Sequence, residues 1–419
     1  IVIFMCNRIH PDGTGNVLKL RNQLGTLAAE AISDFDFSSP PGMLSKVGNG
    51  IDVLETQNFV ALEGLKVGLI TNHTGRSRKG VSTIDLLHKS DQVELTALFS
   101  PEHGIRGEFD EKVDDQIDSR TGLKIHSLYG NTRKPTASSL EEIDALVFDI
   151  QDIGCRFYTY ISTMGLAMEA AAESGKKFIV LDRINPINGA KVEGPLRRGD
   201  SSFTGYHEIP IRHGMTVGEL ARMIKIEDNL SLDLTIVPIE GWRRDMIFDE
   251  TGLQWINPSP NMRNLTQAIL YPGIGLLETT ELSVGRGTDT PFEIFGAPYI
   301  NQLELAEELN RLSFPGVRFV PIQFTPSSSK YQNEICQGVN VILTDRENCP
   351  IVELGIGIAH TLHRLYAPDF DIGKFNRLLM HPEVIEQIRE GHSWKSVVSH
   401  WHDEEQSFIE RRKPFLIYE

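Results

Sequence analysis

The stretch Ala145-Leu146-Val147-Phe148-Asp149-Ile150-Gln151-Asp152 is a short apolar run that ends abruptly in polar side chains. Three further segments have the same form: Leu65–Ile70 before Thr71-Asn72-His73, Leu95–Phe99 before Ser100-Pro101-Glu102-His103-Gly104, and Phe178–Leu181 before Asp182-Arg183. None of the four runs alternates apolar with polar residues, which predicts strands that are buried on both faces of a parallel sheet. Open parallel sheets bind ligands outside the carboxyl ends of their strands. We therefore expect the polar residues that follow the four strands to gather along one edge of the sheet.

Helical segments alternate with these strands. Thr83–His88 is predicted as a helix between the first two strands, and Ser162–Ser174 as an Ala-rich helix that ends at Gly175. Thr216 and Glu219 have the spacing of a capping box at the start of a further helix. This alternation is typical of a doubly wound α/β domain, which we place over residues 49–232.

A second, smaller α/β domain is predicted over residues 233–419, beginning with a strand-like run at Leu232–Pro238. Its other predicted elements are the strands Phe319–Phe324 and Gly338–Leu343 and the helices Asn301–Leu312, Leu354–Tyr366 and His381–Glu390. Residues 1–48 combine a weak helical stretch with a Ser- and Pro-rich segment, so we treat them as an appendage.

The charge of the chain disfavours two classes of partner. Lys and Arg number 41 against 57 Asp and Glu, for a formal net charge of -16. This excess of acid disfavours nucleic acid and anionic membrane surfaces, and it requires any anionic substrate to be met by a few local arginines. No run reaches the roughly 18 to 20 apolar residues that a membrane span needs, so we expect no transmembrane segment.

The four cysteines, Cys6, Cys155, Cys336 and Cys349, lack the spacing of a metal site or of a disulfide framework. We interpret them mainly as buried thiols, with a single bridge between Cys336 and Cys349 as the alternative. The apolar segment Ile1–Cys6 is either the remnant of a removed signal or the end of a fragment.

Several motifs that mark cofactor sites are missing from the sequence. There is no Gly-x-x-x-x-Gly-Lys-Ser/Thr phosphate loop and no Gly-x-Gly-x-x-Gly after the first strand, which argues against nucleotide hydrolysis and a dinucleotide cofactor. The Gly-x-Ser-x-Gly elbow and the His-Glu-x-x-His motif are also missing. His73, His103 and His213 do not have the spacing of metal ligands, so we expect neither a cofactor nor a catalytic metal.

Two strand ends carry candidate acid and base groups. Glu102 and His103 follow the second strand, where partial burial favours the protonated carboxylic acid that a general acid requires. The alternative is that Glu102 caps a helix or pairs with Arg106. Asp149 is a second candidate carboxylate, with Gln151 close behind it.

Further candidate binding residues each have a structural alternative. Tyr158 and Tyr160 are suited to stacking on sugar rings, although aromatic residues near a strand end are often part of the core. Arg183 either braces the sheet together with Asp182 or clamps a substrate carboxylate. His213 precedes the capped helix, and a helix N-terminus favours bound anions.

The segment from Glu278 to Gly287 contains another candidate acid or base and a candidate anion-binding arginine. The glycines on both sides of Arg286 let the backbone approach a ligand closely and let the arginine reach into a cleft. A purely structural loop would explain the same glycines.

Taken together, these motifs resemble the NamZ-type exo-β-N-acetylmuramidase family of bacterial cell-wall recycling, formerly known only as a domain of unknown function. The resemblance extends from Gly50 to the C-terminus and is carried by these segments: Thr71–Gly75, Phe99–Gly104, Phe148–Tyr160, Leu181–Pro186, Val192–Pro195, Ile209–Leu220, Pro258–Asn261 and Ser283–Gly296. It implies a Rossmann-like domain and a smaller α/β domain, with an active-site cleft between them. It also implies an exo-acting glycoside hydrolase that releases N-acetylmuramic acid from the non-reducing end of peptidoglycan fragments, and it favours export.

The chain departs from the family pattern at three places. These are Ile184, Arg263 and the tripeptide Thr279-Thr280-Glu281. The carboxylate of Glu281 adds a negative charge near the expected cleft, which bears on the choice of substrate.

The resemblance also implies roles for the acidic candidates. Glycoside hydrolysis usually needs one carboxylic acid to protonate the leaving oxygen and a second group to stabilise or attack the oxocarbenium-like centre. Glu102 is our candidate for the acid, oriented by His103. Asp149 is the first candidate for the second group and Glu278 is the reserve, unless the acetamide of the sugar itself acts as nucleophile.

Substrate contacts are expected from the remaining candidates. The lactyl carboxylate of muramic acid needs a cation, for which the candidates are Arg286, Arg183 and Arg156. The other expected contacts are Asn72, Gln151, Tyr158, Tyr160, Asp182, Asn185, His213 and Asn261.

Two other functions are compatible with the sequence. The first is a non-catalytic protein that binds cell-wall sugars in the same cleft. The second is an enzyme of nucleotide sugars or phosphates, which rests on the analogy of the parallel sheet alone.

Overall fold

The computed structural model describes residues 47–101, 104, 105, 116–130 and 132–419 of the chain. The strands of the described chain are Lys66–Thr71 (β1), Glu94–Ser100 (β2), Gln116–Ile117 (β3), Lys124–Ser127 (β4), Ala145–Asp149 (β5), Lys177–Leu181 (β6), Glu193–Leu196 (β7), Pro210–Arg212 (β8), Leu234–Val237 (β9), Ile294–Ala297 (β10), Val317–Phe324 (β11) and Cys336–Leu343 (β12). Seven of them form a mainly parallel central sheet in the order β3-β4-β2-β1-β5-β6-β9. Strands β7 and β8 form a separate antiparallel pair.

The four strands predicted from the apolar runs are all present and lie side by side. Strand β1 pairs in parallel with β2 and β5, and β5 pairs in parallel with β6. Phe148 of β5 belongs to the apolar cluster on one face of the sheet, and its neighbour Val147 belongs to the cluster on the other. Burial on both faces explains why the sequences of these strands are continuous apolar runs. The predicted Rossmann-like α/β class of the larger domain is confirmed.

The helices of the described chain are Gly50–Thr56 (α1), Thr83–Lys89 (α2), Ala137–Leu140 (α3), Tyr160–Glu173 (α4), Val217–Glu227 (α5), Leu265–Ile274 (α6), Gln302–Arg311 (α7), Ile351–Tyr366 (α8), Ile372–Leu379 (α9), Pro382–Arg389 (α10), Trp394–Ser399 (α11) and His402–Arg412 (α12). Helix α2 connects β1 to β2, and α4 connects β5 to β6, as predicted. The capping box of α5 is also confirmed: the Glu219 N–H donates to Thr216 Oγ1 at 3.2 Å, and the Thr216 N–H donates to Glu219 Oε2 at 3.0 Å.

Strand β9 lies beyond the domain boundary predicted at residue 232, yet it belongs to the central sheet. It pairs in parallel with β6, with Val237 opposite Leu181. Our placement of the run Leu232–Pro238 in the second domain is therefore wrong, because its backbone partner is a strand of the first. The sequence around this run contains no signal that distinguishes an added edge strand from the first strand of a new sheet.

The smaller domain contains a three-stranded antiparallel sheet in the order β10-β12-β11, and helix α7 packs against β11 and β12. The predicted strands correspond to β11 and β12, and the predicted helices to α7, α8 and α10. The largest apolar cluster includes Phe148 of the central sheet. It also includes two residues of the smaller domain, Ile356 of α8 and Leu277, which follows α6. The two domains therefore share one continuous core.

Cys155, Cys336 and Cys349 are buried free thiols, so the alternative of a bridge between Cys336 and Cys349 is not realised. Cys6 and the rest of residues 1–46 lie outside the described residues. No helix in the described part of the chain is both long enough and apolar enough to cross a membrane.

The C-terminal segment returns to the central sheet. The Tyr418 hydroxyl donates to Asp182 Oδ2 at 2.6 Å and accepts from the Ile239 N–H at 2.9 Å. Asp182 also accepts from the Thr216 hydroxyl and from the Gly218 N–H, both at 2.8 Å, at the start of α5. Burial raises the pKa of Asp182 to about 7. This carboxyl group thus links the end of β6, the start of α5 and the C-terminus.

We expect Tyr418→Phe to lower the free energy of unfolding by about 1 to 2 kcal/mol, because the Ile239 N–H loses its acceptor and Asp182 loses a donor. The matched control is Tyr366→Phe, whose exposed hydroxyl lies 3.3 Å from the Asn301 carbonyl. It should change the free energy by less than about 0.5 kcal/mol. Urea unfolding followed by circular dichroism measures both variants, and equal stability would contradict the linking role of Tyr418.

Candidate active site

A pocket lies where the loop after β5 and the start of α4 meet the smaller domain. It has an empty volume of about 670 Å³, including the part that is open to solvent. Its lining residues are Phe157, Tyr158, Thr159, Tyr160, Ser259, Asn261, Met262, Tyr271, Glu278, Arg286 and Phe292. We call it the cleft pocket. It brings together these residues predicted from the sequence: Tyr158, Tyr160, Asn261, Glu278 and Arg286.

Aromatic rings form much of the cleft pocket. The ring of Tyr158 meets those of Tyr160 and Tyr271 edge to face, with centroid separations of 5.2 and 5.7 Å. The Tyr160 hydroxyl donates to the Pro258 carbonyl at 2.7 Å, which holds the segment after residue 257 against the start of α4. Tyr158 and Tyr160 also belong to the apolar core and are only 9% and 3% exposed, so each offers a small part of its ring to a ligand in the pocket.

Glu278 and Arg286 form an ion pair in the cleft pocket. Nη1 of Arg286 donates to Oε1 of Glu278. In the amide orientation that satisfies its hydrogen bonds, the Asn261 oxygen accepts from Arg286 Nε at 3.2 Å and Nη2 at 3.1 Å. Gly285 and Gly287 have φ angles of +78° and +81°, which glycine adopts far more readily than other residues. The side chains of Arg286 and Glu278 are 36% and 25% exposed, so solvent reaches the pair.

A second, more open pocket adjoins the cleft pocket and shares Asn261 and Arg286 with it. Its empty volume is about 1310 Å³. Most of its other lining residues are polar, among them Arg263, Thr288, Asp289, Thr325, Ser327, Ser328 and Ser329. A ligand longer than one sugar ring can therefore extend from the cleft pocket across Arg286 into this adjoining pocket.

Tyr271 is a lining residue to which the sequence analysis assigned no role. Burial raises the pKa of Tyr271 well above its usual value, and the negative charge of Glu278 adds to the shift. Its hydroxyl therefore stays protonated at neutral pH. Tyr271 lies inside α6, where the sequence alone predicts a core residue. The signal that it is unusual is Pro272, which stands inside the same helix.

The strand end at Asp149 is occupied by a buried ion pair. Asp149 has no exposed surface, and its carboxylate accepts from Nε and Nη2 of Arg183 at 2.5 and 3.0 Å and from the Thr83 hydroxyl at 2.5 Å. Of the two interpretations of Arg183, this geometry favours the brace, although the partner is Asp149 and not Asp182. Neither residue lines the cleft pocket.

Asp182, Asn185 and His213 pack around the start of α5, away from the lining of the cleft pocket. The Asn185 side chain donates to the Met215 carbonyl at 3.0 Å. His213 is fully buried beside the N-terminus of α5, and its Nδ1 accepts from the Met215 N–H at 3.2 Å. These hydrogen bonds within the protein favour structural roles over the expected contacts with substrate.

Arg156 is fully buried, and its guanidinium donates to four backbone carbonyls. The acceptors are Pro195 and Ile209, each at 3.0 Å, Leu378 at 3.1 Å and Leu379 at 2.6 Å. Burial lowers the pKa of Arg156 to about 10. These contacts connect the loop after β5 to the end of α9, so the geometry favours a structural tie over a contact with the lactyl group.

Asn72 and Gln151 also make hydrogen bonds within the sheet edge. Asn72 Oδ1 accepts from the N–H and the hydroxyl of Thr74 at 2.9 and 2.6 Å. The Gln151 amide donates to the carbonyls of Asp152 and Ile184 at 2.7 and 2.8 Å. Gln151 lines a separate pocket at this edge, with an empty volume of about 510 Å³, together with Arg183.

Glu102 and His103 lie outside the described residues, so their roles stay predictions. The residues on either side of them are described. Strand β2 ends at Ser100 beside β1, and Gly104 has a φ angle of +72°. Strand β2 therefore ends at the same edge of the sheet as β1 and β5. Within the described residues no group of three His, Cys, Asp or Glu side chains is arranged to hold a metal ion.

The carboxylate of Glu281, where the chain departs from the family pattern, contacts residues at the start of α9. It pairs with Lys374 and accepts from the Asp371 N–H at 3.0 Å. Burial alone would raise the pKa of Glu281, but the hydrogen bonds from Lys374 and Asp371 outweigh it and lower the pKa. The added charge is therefore neutralised locally, and Glu281 does not line the cleft pocket.

Comparison with known proteins connects this arrangement to one family. The family model for the N-terminal domain of the exo-β-N-acetylmuramidase NamZ matches residues 67–266, and the model for its C-terminal domain matches residues 269–418. The chain is 43% identical over 400 residues to the peptidoglycan β-N-acetylmuramidase NamZ of Bacillus subtilis strain 168, across 94% of this chain and 96% of that protein.

Solved structures agree with this relationship. A crystal structure of a DUF1343 family protein from Bacteroides fragilis has a TM-score of 0.84 and 42% identity, covering 89% of this chain and 99% of that one. A second DUF1343 structure from the same species has a TM-score of 0.74 and 33% identity, covering 90% of this chain and 99% of that one.

We expect Arg156→Met to destabilise the fold by at least about 3 kcal/mol, because it leaves four buried carbonyls without their donor. The control is Arg120→Met, since Arg120 is 66% exposed and only 3.9 Å from its acidic partner Asp85. The control should change the free energy of unfolding by less than about 0.5 kcal/mol. If Arg156→Met unfolded at the same urea concentration as the wild type, the structural role of Arg156 would be wrong.

Proposed function

This chain belongs to the NamZ family of exo-β-N-acetylmuramidases, and we propose that it removes N-acetylmuramic acid from the non-reducing end of peptidoglycan fragments. The observation that carries the proposal for the site is the cleft pocket, in which aromatic rings, Glu278 and Arg286 face one space. The near full-length similarity to the Bacillus subtilis enzyme supports the reaction.

The cleft pocket offers the chemistry that muramic acid requires. The rings of Tyr158 and Tyr160 provide apolar walls for the sugar, and the Asn261 amide provides hydrogen bonds for its polar groups. Arg286 provides the cation for the lactyl carboxylate, which is the group that distinguishes muramic acid from glucosamine. Arg183 and Arg156, the other two candidates for this contact, are occupied by Asp149 and by backbone carbonyls.

The adjoining pocket is consistent with a scissile bond between the terminal sugar and the rest of the fragment. A terminal sugar bound in the cleft pocket leaves the rest of the fragment to extend past Arg286 into the adjoining pocket, whose lining is largely polar. Removal of a single terminal sugar is consistent with this arrangement of one aromatic pocket followed by an open one.

Glu102 is the proposed general acid. As the bond between C1 and the glycosidic oxygen breaks, its electron pair goes to that oxygen, which takes the proton of the Glu102 carboxylic acid. Water then adds to C1 and returns a proton to the carboxylate. His103 is the proposed partner that orients Glu102.

For the second group, the geometry favours Glu278 over Asp149. The carboxylate of Asp149 is fully buried and held by Arg183 and Thr83. Glu278 is partly exposed and lines the cleft pocket. Glu278 would stabilise or attack the developing positive charge at C1, or orient the acetamide of the substrate if that group attacks.

Release of 4-nitrophenol from the 4-nitrophenyl β-glycoside of N-acetylmuramic acid tests the reaction directly. A hydrolase releases the chromophore with multiple turnovers, whereas a non-catalytic sugar-binding protein binds the compound and releases none. A nucleotide enzyme predicts instead that a nucleotide raises the melting temperature and muramic acid does not.

We expect Glu102→Gln to lower kcat by at least about 10²-fold with little change in substrate binding, which is the scale of lost acid catalysis. The control is Glu142→Gln, a neutralisation of an exposed carboxylate outside the cleft pocket, which should leave kcat within about twofold of the wild type. Near-normal turnover in Glu102→Gln would remove Glu102 from the mechanism.

A further inference from the structure

We propose that Glu278 and the carboxylate of the substrate compete for Arg286, so that binding of an acidic sugar releases Glu278 for its catalytic role. The inference rests on the proposed muramidase function and deepens it. In the unliganded site Arg286 forms an ion pair with Glu278. In the complex with muramic acid its partner is the lactyl carboxylate, and Glu278 faces the anomeric carbon.

The exchange is feasible because the pair is accessible to solvent. Solvent weakens an ion pair that it reaches, so replacing one carboxylate by another on Arg286 costs less than it would at a buried pair. The pair between Arg183 and Asp149 is different, because its side chains are 4% and 0% exposed. Breaking a buried pair of that kind is strongly unfavourable, because it leaves an uncompensated charge in the interior. Of these two pairs, the one in the cleft pocket is the one that a ligand can exchange.

The two carboxylates compete because the guanidinium of Arg286 has a limited number of N–H groups. Nη1 of Arg286 donates to Glu278, while Nε and Nη2 are directed to the Asn261 oxygen. A bidentate contact with an incoming carboxylate uses two parallel N–H groups of the guanidinium. The incoming group must therefore displace at least one of the present acceptors. Two carboxylates on one arginine also repel each other, which favours departure of Glu278.

Arg286 lies next to the proposed position of the sugar, where an exchange of its carboxylate partner can affect the reaction. Arg286 lines both the cleft pocket and the adjoining pocket, so a substrate passes it on entry. Its flanking glycines, Gly285 and Gly287, hold the backbone in a conformation with positive φ. A neutral sugar such as N-acetylglucosamine has no carboxylate to offer, so it leaves Glu278 on Arg286 and is hydrolysed slowly. Selectivity for the acidic sugar thus appears in turnover as well as in binding.

The test compares the 4-nitrophenyl β-glycosides of N-acetylmuramic acid and N-acetylglucosamine, which differ in the lactyl ether. In Arg286→Ala, kcat/KM for the muramide should fall at least about tenfold, because the cation for its carboxylate is lost. For the glucosaminide kcat should rise at least about threefold, because Glu278 is released in every molecule. The control Arg389→Ala, at an exposed arginine on α10, should leave both substrates within about twofold.

A parallel fall of both substrates in Arg286→Ala would overturn the exchange and indicate a general structural role. An unchanged rate for the glucosaminide would also overturn it, because Arg286 would then only bind the lactyl group. Failure of the wild type to hydrolyse the muramide would instead overturn the proposed function itself, so the two failures are distinguishable.

In a second measurement, free lactate supplies the carboxylate that the glucosaminide lacks. Sodium lactate should accelerate hydrolysis of the glucosaminide by the wild type, because it occupies Arg286 and releases Glu278. Neutral lactamide is the control for the shape of the molecule and should have no effect. Acceleration by lactate that is absent in Arg286→Ala supports the exchange. No response in the wild type, or an equal response in both proteins, would overturn it.

Discussion

The buried ion pair between Asp149 and Arg183 determines how the edge of the central sheet is used. It joins the ends of β5 and β6 and takes the Thr83 hydroxyl of α2 as a further donor. A charge buried in this way is tolerated only when it is paired and hydrogen-bonded, so neither partner is easily given to a ligand. The pair between Glu278 and Arg286 differs, because it is partly exposed and lines the cleft pocket.

Much of the fold could be predicted from the sequence because the signals are local. Burial on both faces leaves continuous apolar runs such as Phe178–Leu181, and a capping box is written within four residues from Thr216 to Glu219. Pairings between distant segments have no such signal. The partner of Asp182 is Tyr418, 236 positions later, and sequence patterns do not record it. The same limit applies to β9, whose neighbour β6 could not be identified from its own residues.

The candidate site shows the same division. Tyr158, Tyr160 and Arg286 were candidate binding residues in the sequence, and all three line the cleft pocket, where their roles stay predictions. Whether a particular carboxylate or arginine faces solvent or the interior depends on tertiary packing. Asp149 and Arg156 therefore looked like catalytic and binding residues, although the fold surrounds them with donors and acceptors of its own.

We propose that the cleft pocket has two parts with different tasks: aromatic walls for the sugar and an exchangeable ion pair for its carboxylate. A crystal structure of the complex with N-acetylmuramic acid tests this division most directly. The account predicts the ring against Tyr158 and Tyr160, with the lactyl carboxylate on Arg286 and Glu278 turned away from it. A sugar bound instead in the separate pocket beside Gln151 and Arg183, with the Glu278 and Arg286 pair intact, would contradict the account.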